Sequence, residues 1–134
     1  MIKVFVYGTL KPGKYNYALY CEGKVIEATK AYGKGQLFDL SLGYPGMTIG
    51  EGKVQGFLLS FKDETVLEHL DQLESYSPQR PDEENEYYRQ EIMVYGDSGE
   101  SLGVAWAYLM TSEKVKQFQG VFLPSGDWQE IINN

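Results

Sequence analysis

The chain has 134 residues, 43% hydrophobic and 23% charged, with 11 Tyr and a net charge of −7; this is the size and balance of one globular domain over residues 1–134 with a substantial apolar core, not of a disordered chain. The acidity argues against a nucleic-acid backbone or an anionic membrane as partner, since both need clustered Lys and Arg. One cysteine, Cys21, cannot close an internal disulfide, and with the single histidine, His69, it furnishes neither a zinc ligand set nor the signature of a Cys/His dyad; with no signal peptide or long apolar run, the expected location is the cytoplasm.

In chain order, residues 2–7 alternate faces, with Ile2, Val4 and Val6 against Lys3, Phe5 and Tyr7, and predict a first strand stopped by Gly8. A loop containing Thr9, Leu10, Lys11, Pro12 and Gly13 follows, then a short helix over 16–22. Residues 24–40 carry strand-like apolar side chains interrupted by Gly33 and Gly35, which suggest a bulge or sharp bend. Gly43, Tyr44, Pro45 and Gly46 form a turn before a strand pair, 47–49 and 54–61, separated by Gly50 and Gly52.

Residues 63–75 (DETVLEHLDQLES) predict a helix with Asp63 as N-cap and Val66, Leu67, Leu70 and Leu73 at helical spacing. At roughly 100° per residue those four fill one arc, and Glu64, Glu68, Asp71 and Gln72 project outside it as a solvated face does. Glu74 falls between Leu67 and Leu70 and points with the leucines. Apolar neighbours and the negative end of the helix dipole both raise the pKa of an acid so placed, toward that of a base poised near neutral pH. Periodicity leaves open the alternatives of a frayed helix end with Glu74 in water, or a buried acid that only pairs with an arginine such as Arg80 or Arg89.

The polar run 77–86, with Pro78, Pro81 and the acids Asp82, Glu83, Glu84 and Glu86, predicts an exposed loop and a solvated charge run; it lacks the glycine and spacing of a calcium loop. Two long strands, 87–95 and 101–110, are joined as a hairpin through Asp97, Ser98 and Gly99. A short helix over 111–119 and a tail containing Pro124, Ser125, Gly126, Asp127 and Trp128 complete the chain order. About six strands with glycine bends and few helices predict an α+β fold, a sheet curled on itself into a small barrel. Gly8/Gly13 and Gly33/Gly35 fit neither dinucleotide nor P-loop spacing.

Four segments together, VYGTLKPG at 6–13, GYPGM at 43–47, LDQLESY at 70–76 and YYRQEIMVY at 87–95, resemble the γ-glutamyl cyclotransferase-like family, in particular its AIG2-like and γ-glutamylamine cyclotransferase branch. The resemblance spans most of the chain and implies a closed or nearly closed mixed β-barrel flanked by short helices. It implies a reaction in which a γ-glutamyl compound is cyclised to 5-oxoproline, releasing an amine or amino acid without a cofactor. It puts the catalytic acid at Glu74 and the loop that cradles the γ-glutamyl group at Tyr7, Gly8, Thr9 and Leu10.

Gly8 lets backbone approach closely, and the amides of Gly8 to Leu10 can hold the substrate carboxylate or a developing oxyanion. Tyr88 joins Tyr7 as a second hydroxyl for positioning substrate or Glu74, with a core or rim role as the alternative for each. Arg89, next along the strand, should face the other side of the sheet in a structural ion pair. Tyr44 and Pro45 shape a turn near the pocket, while Trp106 and Tyr108 read as strand core. The partner implied is a small γ-glutamyl substrate; a non-catalytic binding or regulatory module that keeps the pocket is the rival reading. Nothing in the sequence fixes the leaving group or the oligomeric state.

Overall fold

The computed structural model describes residues 2–40, 42–81 and 84–128. Its elements are β1 (Ile2–Val6), α1 (Tyr15–Tyr20), β2 (Val25–Asp39), β3 (Pro45–Phe61), α2 (Val66–Leu73), β4 (Tyr88–Tyr95), β5 (Ser101–Leu109), α3 (Ser112–Gln117) and β6 (Val121–Phe122). The strands form one sheet in the order β3-β1-β5-β4-β2-β6, and β2 also pairs with β3. The pairing therefore returns on itself, so that the first five strands of that order make a ring. β1 runs parallel to β5 through Val4↔Trp106, and the other pairings are antiparallel. This is the mixed α+β ring expected from the sequence, with β6 added beside β2. Among the described residues no helix is long and apolar enough to cross a membrane.

β2 and β3 form the longest ladder, running from Val25↔Phe61 to Asp39↔Pro45. Its register breaks between Lys34 and Gln36, where the expected bulge falls: a Cβ on Gly35 would strike the Thr48 carbonyl. The anticipated pair of short strands at 47–49 and 54–61 is instead one continuous β3. Across the break, Lys34↔Lys53 gives way to Gln36↔Thr48, so residues 49–52 are extra, unpaired length and the strand stays extended through Gly50 and Gly52. The two-residue β6 was not anticipated; Val121 and Phe122 pair with Asp39 and Phe38.

β1 is buried on both faces because two cores meet on it. Phe5 and Tyr7 face the interior of the ring with Leu37, Val54, Val94 and Leu109. Val4 and Val6 face outward, where Leu70 of α2 packs with Leu59, Phe61 and Tyr108. Fully burying side chains of this kind is worth about 1.5–3 kcal/mol each. The strand is thereby held from both sides, and its C-terminal end becomes a fixed edge on which a site can be built.

Candidate active site

A cavity of about 230 Å³ opens at that end of β1. One wall is β1 and its following loop, through Phe5, Val6, Tyr7, Gly8, Thr9 and Leu10; Leu73 and Glu74 at the exit of α2 form another. Tyr44 from the turn before β3, Pro45 at the start of β3, Glu86 and Tyr87 from the segment before β4, and Tyr108 of β5 close it.

The β1 loop is pinned at several points. The Lys11 amide donates to the Gly8 carbonyl at 3.0 Å, and the Thr9 carbonyl accepts from the amides of Asn16 and Tyr17 at 3.0 and 3.2 Å. The Thr9 hydroxyl accepts from Asn16 Nδ2 at 2.7 Å, and the Leu10 side chain is buried in the outer core. Lys11 turns away to the C-terminal tail, donating to the Trp128 carbonyl at 2.9 Å, with Asp127 3.5 Å from its Nζ. A Cβ on Gly8 would lie 2.8 Å from Pro45 Cδ, so the absence of a side chain lets this loop close against the start of β3, where Pro45 and Gly46, anticipated in a turn, already pair with Asp39 and Phe38 of β2. Among the described residues, none accepts a hydrogen bond from the amides of Gly8, Thr9 or Leu10.

Glu74 is placed by the way α2 ends. Its amide donates to the Leu70 carbonyl at 2.9 Å as the last helical bond, and Ser75 takes φ +55°. The Tyr76 amide then reaches back to the Asp71 carbonyl, reversing the chain. At the other end of α2, Asp63 does not occupy the cap position itself. Thr65 does, two residues later than anticipated and with no side-chain cap bond of its own, and Asp63 Oδ1 accepts from the Thr65 amide at 3.0 Å.

Burial, and next the charge of Glu86, push the Glu74 carboxyl up to about 8. The second cause is thus a carboxylate on the facing loop. Among the described residues, no donor or cation contacts the Glu74 carboxylate, because Arg80 donates to the Ser75 carbonyl and Arg89 pairs with Asp71. The pairing of Glu74 with an arginine is therefore not found.

The phenols around Glu74 already donate to protein acceptors. Tyr7 gives its hydroxyl to the Tyr108 carbonyl at 2.5 Å, Tyr87 to the Pro45 carbonyl at 2.6 Å and Tyr108 to Asp71 Oδ1 at 2.7 Å. Tyr44 donates to Glu86 Oε1 at 2.7 Å. Burial raises all four above the ordinary phenol value, Tyr44 to about 12. None of them is a proton donor or acceptor for chemistry near neutral pH, which leaves the carboxyl groups.

Of the residues singled out in the sequence, Tyr7, Gly8, Thr9, Leu10 and Glu74 come together on this cavity. Tyr88 does not line it; its ring packs in the interior core with Phe5 and Tyr7, while Tyr87 takes the wall position. Arg89 faces away as anticipated, its Nε 3.4 Å from Asp71 Oδ1 and its guanidinium 4.8 Å from the Trp106 ring centre. Asp71 is consequently not on a solvated face, because β4 and β5 bring Arg89 and Tyr108 to it. Tyr108 is buried as expected of a core residue, and also reaches the cavity.

Glu86, Tyr87 and Asn16 were missed. The run 77–86 reads as solvated charge, but Asn85 is buried and staples it: Oδ1 accepts from the Ser77 amide at 3.0 Å and Nδ2 donates to the Ser77 carbonyl at 3.2 Å. That turns Glu86 inward; Asp82 and Glu83 lie outside the described residues. The available signal was the position of Glu86 directly before two tyrosines at a strand entry. Cys21 is buried and its thiol pushed up to about 11 by burial, while His69 is exposed. Among the described residues, no three His, Cys, Asp or Glu side chains gather where they could hold a metal ion.

Residues 4–130 match the family described as "Gamma-glutamyl cyclotransferase, AIG2-like". A relative from Niallia circulans, a γ-L-glutamyl-butirosin B γ-glutamyl cyclotransferase, is 35% identical over 109 residues, covering 81% of this chain and 67% of the relative. The crystal structure of YkqA from Bacillus subtilis superposes with TM-score 0.65 and 28% identity over 95% of this chain, which spans 39% of that protein. An AIG2-like protein of Mus musculus has the same fold, with TM-score 0.66 and 21% identity over 96% of this chain and 88% of the mouse protein. With the YGTL loop and Glu74 meeting on one cavity and the match running nearly end to end, this chain belongs to the γ-glutamyl cyclotransferase, AIG2-like family.

Proposed function

We propose that this protein cyclises a γ-glutamyl compound to 5-oxoproline, with Glu74 as general base and then general acid. The observation that carries the proposal is that Glu74, raised to about 8, shares a cavity with the amides of Gly8, Thr9 and Leu10 while the phenols around it donate to protein acceptors. Ionised, a carboxylate of that strength takes a proton from the substrate's α-ammonium near neutral pH, where an ordinary glutamate is too weak a base.

The freed amine attacks the γ-carbonyl carbon, forming the ring C–N bond; the C–N bond to the leaving amine then breaks. The cavity holds the two reacting groups of one molecule together. The α-nitrogen loses two protons in all and the departing nitrogen gains two, so a group that accepts and returns protons closes the balance. The amides of Gly8, Thr9 and Leu10 hold the substrate carboxylate or the oxygen that becomes negative during attack. Tyr7 forms the wall beside them, and Tyr88 supports that wall from the interior core. No cofactor enters this scheme.

The test is product analysis over a panel of γ-glutamyl amines and dipeptides that includes a γ-glutamyl aminoglycoside, the kind of compound named for the Niallia circulans relative. The expected result is 5-oxoproline and free amine in equal amounts from at least one member. Free glutamate in place of 5-oxoproline would mean hydrolysis, and saturable binding with no product would mean a binding module; either contradicts the proposal.

A further inference from the structure

Glu86 has no role in the scheme above, yet it is built into the site. It sits on the cavity wall facing Glu74, its Oε1 accepts from the Tyr44 hydroxyl at 2.7 Å, and the buried Asn85 beside it fixes the loop. Among the described residues it has no cationic partner. Half-buried on that wall, its carboxylate keeps acceptor capacity beyond the Tyr44 hydroxyl that a cationic ligand group can take up.

We propose that Glu86, held by Tyr44, is a substrate-binding residue whose carboxylate pairs with the α-ammonium of the γ-glutamyl group. This rests on the cyclotransferase reading and deepens it. A γ-glutamyl group carries an anion and a cation on the same carbon. The amides of Gly8, Thr9 and Leu10 provide for the first on one wall, and Glu86 provides for the second on another. The ammonium then lies between a carboxylate fixed by a phenol and Glu74. Its positive charge favours ionisation of Glu74, so the base forms where its proton is to be taken.

Glu74 is faced by Tyr7 directly after β1, Tyr44 from the turn before β3, Glu86 and Tyr87 from the segment before β4, and Tyr108 from β5. The four phenols remain neutral across the working range, and the nearby Asp71 and Arg89 offset each other. Glu86 is therefore the neighbour whose removal should move the titration of Glu74, and it should move it downward.

The experiment compares the full chain with its Glu86→Gln and Tyr44→Phe variants by calorimetric binding of two probes and by the pH profile of kcat/KM. One probe is a γ-glutamyl amide; the other is the same amide with hydrogen in place of the α-amine. Glu86→Gln should weaken the first about 10- to 100-fold, the worth of a hydrogen bond to a charged group, and leave the second as tight or tighter. It should also shift the acid limb of kcat/KM to lower pH. Tyr44→Phe should weaken the first probe by less and spare the second, leaving the acid limb in place because Glu86 keeps its charge, and the binding of the two probes to it decides the matter if Glu86→Gln does not fold. Equal weakening of both probes, or no change in the first, overturns the role of Glu86. Binding requires no turnover, so failure of the wild type to form 5-oxoproline would count against the proposed reaction alone.

Discussion

At the scale of the residue, the property proposed to make Glu74 useful also makes it a burden on the fold. Its carboxyl is raised from 4.5 to about 8 in the folded chain, so between those values the native state holds a proton that the unfolded state has lost. Stability from this group is fully present below the unfolded value. It is lost as pH rises toward 8, with a slope of up to about 1.4 kcal/mol per pH unit. Glu74→Gln cannot ionise, so its denaturant midpoint should lose that dependence and exceed the wild type at pH 9. A variant that tracks the wild type at every pH would mean that Glu74 is not buried in the way described.

This residue was legible because helical periodicity makes an acid among leucines visible. Glu86 was not, because an acid in a run of acids carries no periodic signal, and what turns it inward is the hydrogen bonding of its neighbour Asn85. The choice between Tyr87 and Tyr88 depended on where β4 begins. Tyr88 is its first residue and faces the interior, so the wall position falls to the residue before the strand.

At the scale of the element, two short segments set the spacing of the site. Gly8→Ala puts a Cβ 2.8 and 2.9 Å from Pro45 Cδ and Cγ, and a proline ring has little freedom to swing aside. The loop and the start of β3 must separate, at a cost of about 1–3 kcal/mol. Displacement of the loop amides should lower kcat/KM by up to about 10²-fold. A Gly8→Ala protein as stable and active as the wild type would contradict the close packing of these segments.

Asn85→Ala removes the side chain that bonds Ser77 at both its amide and its carbonyl, and should cost about 1–3 kcal/mol in thermal or denaturant unfolding. The same change frees the segment carrying Glu86, so substrate binding should weaken along with stability. Unchanged values of both would show that Asn85 does not hold that segment. Strands were well marked in the sequence by alternation and glycine stops. The continuity of β3 was not, because Gly50 and Gly52 mark a turn in most contexts and here lie in unpaired length beyond a register break.

At the scale of the whole molecule, the site exists because the sheet closes. β2 meets β4 through Tyr32↔Tyr95 and Gly33↔Val94, with the two tyrosine rings stacked at 5.4 Å, and β1 joins β5 in parallel. Those pairings connect segments far apart in the chain, so local pattern could suggest a curled sheet but could not give its strand order. Closure places two cores on either side of β1 and brings the exit of α2 to the same end as the YGTL loop. The 60-odd residues that separate Glu74 from Gly8 in sequence are folded away between them.

The central claim is that Glu74 moves the proton in this cavity. The most direct measurement is 5-oxoproline release by Glu74→Gln beside the wild type, on the substrate that turns over best, with folding of both checked by circular dichroism at the same pH. The expected result is a folded variant with turnover lower by about 10² to 10⁴, the usual worth of a general acid/base, and without the rise in kcat/KM through the region of pH 8 that the wild type should show. A folded Glu74→Gln protein that releases 5-oxoproline at close to the wild-type rate would contradict it.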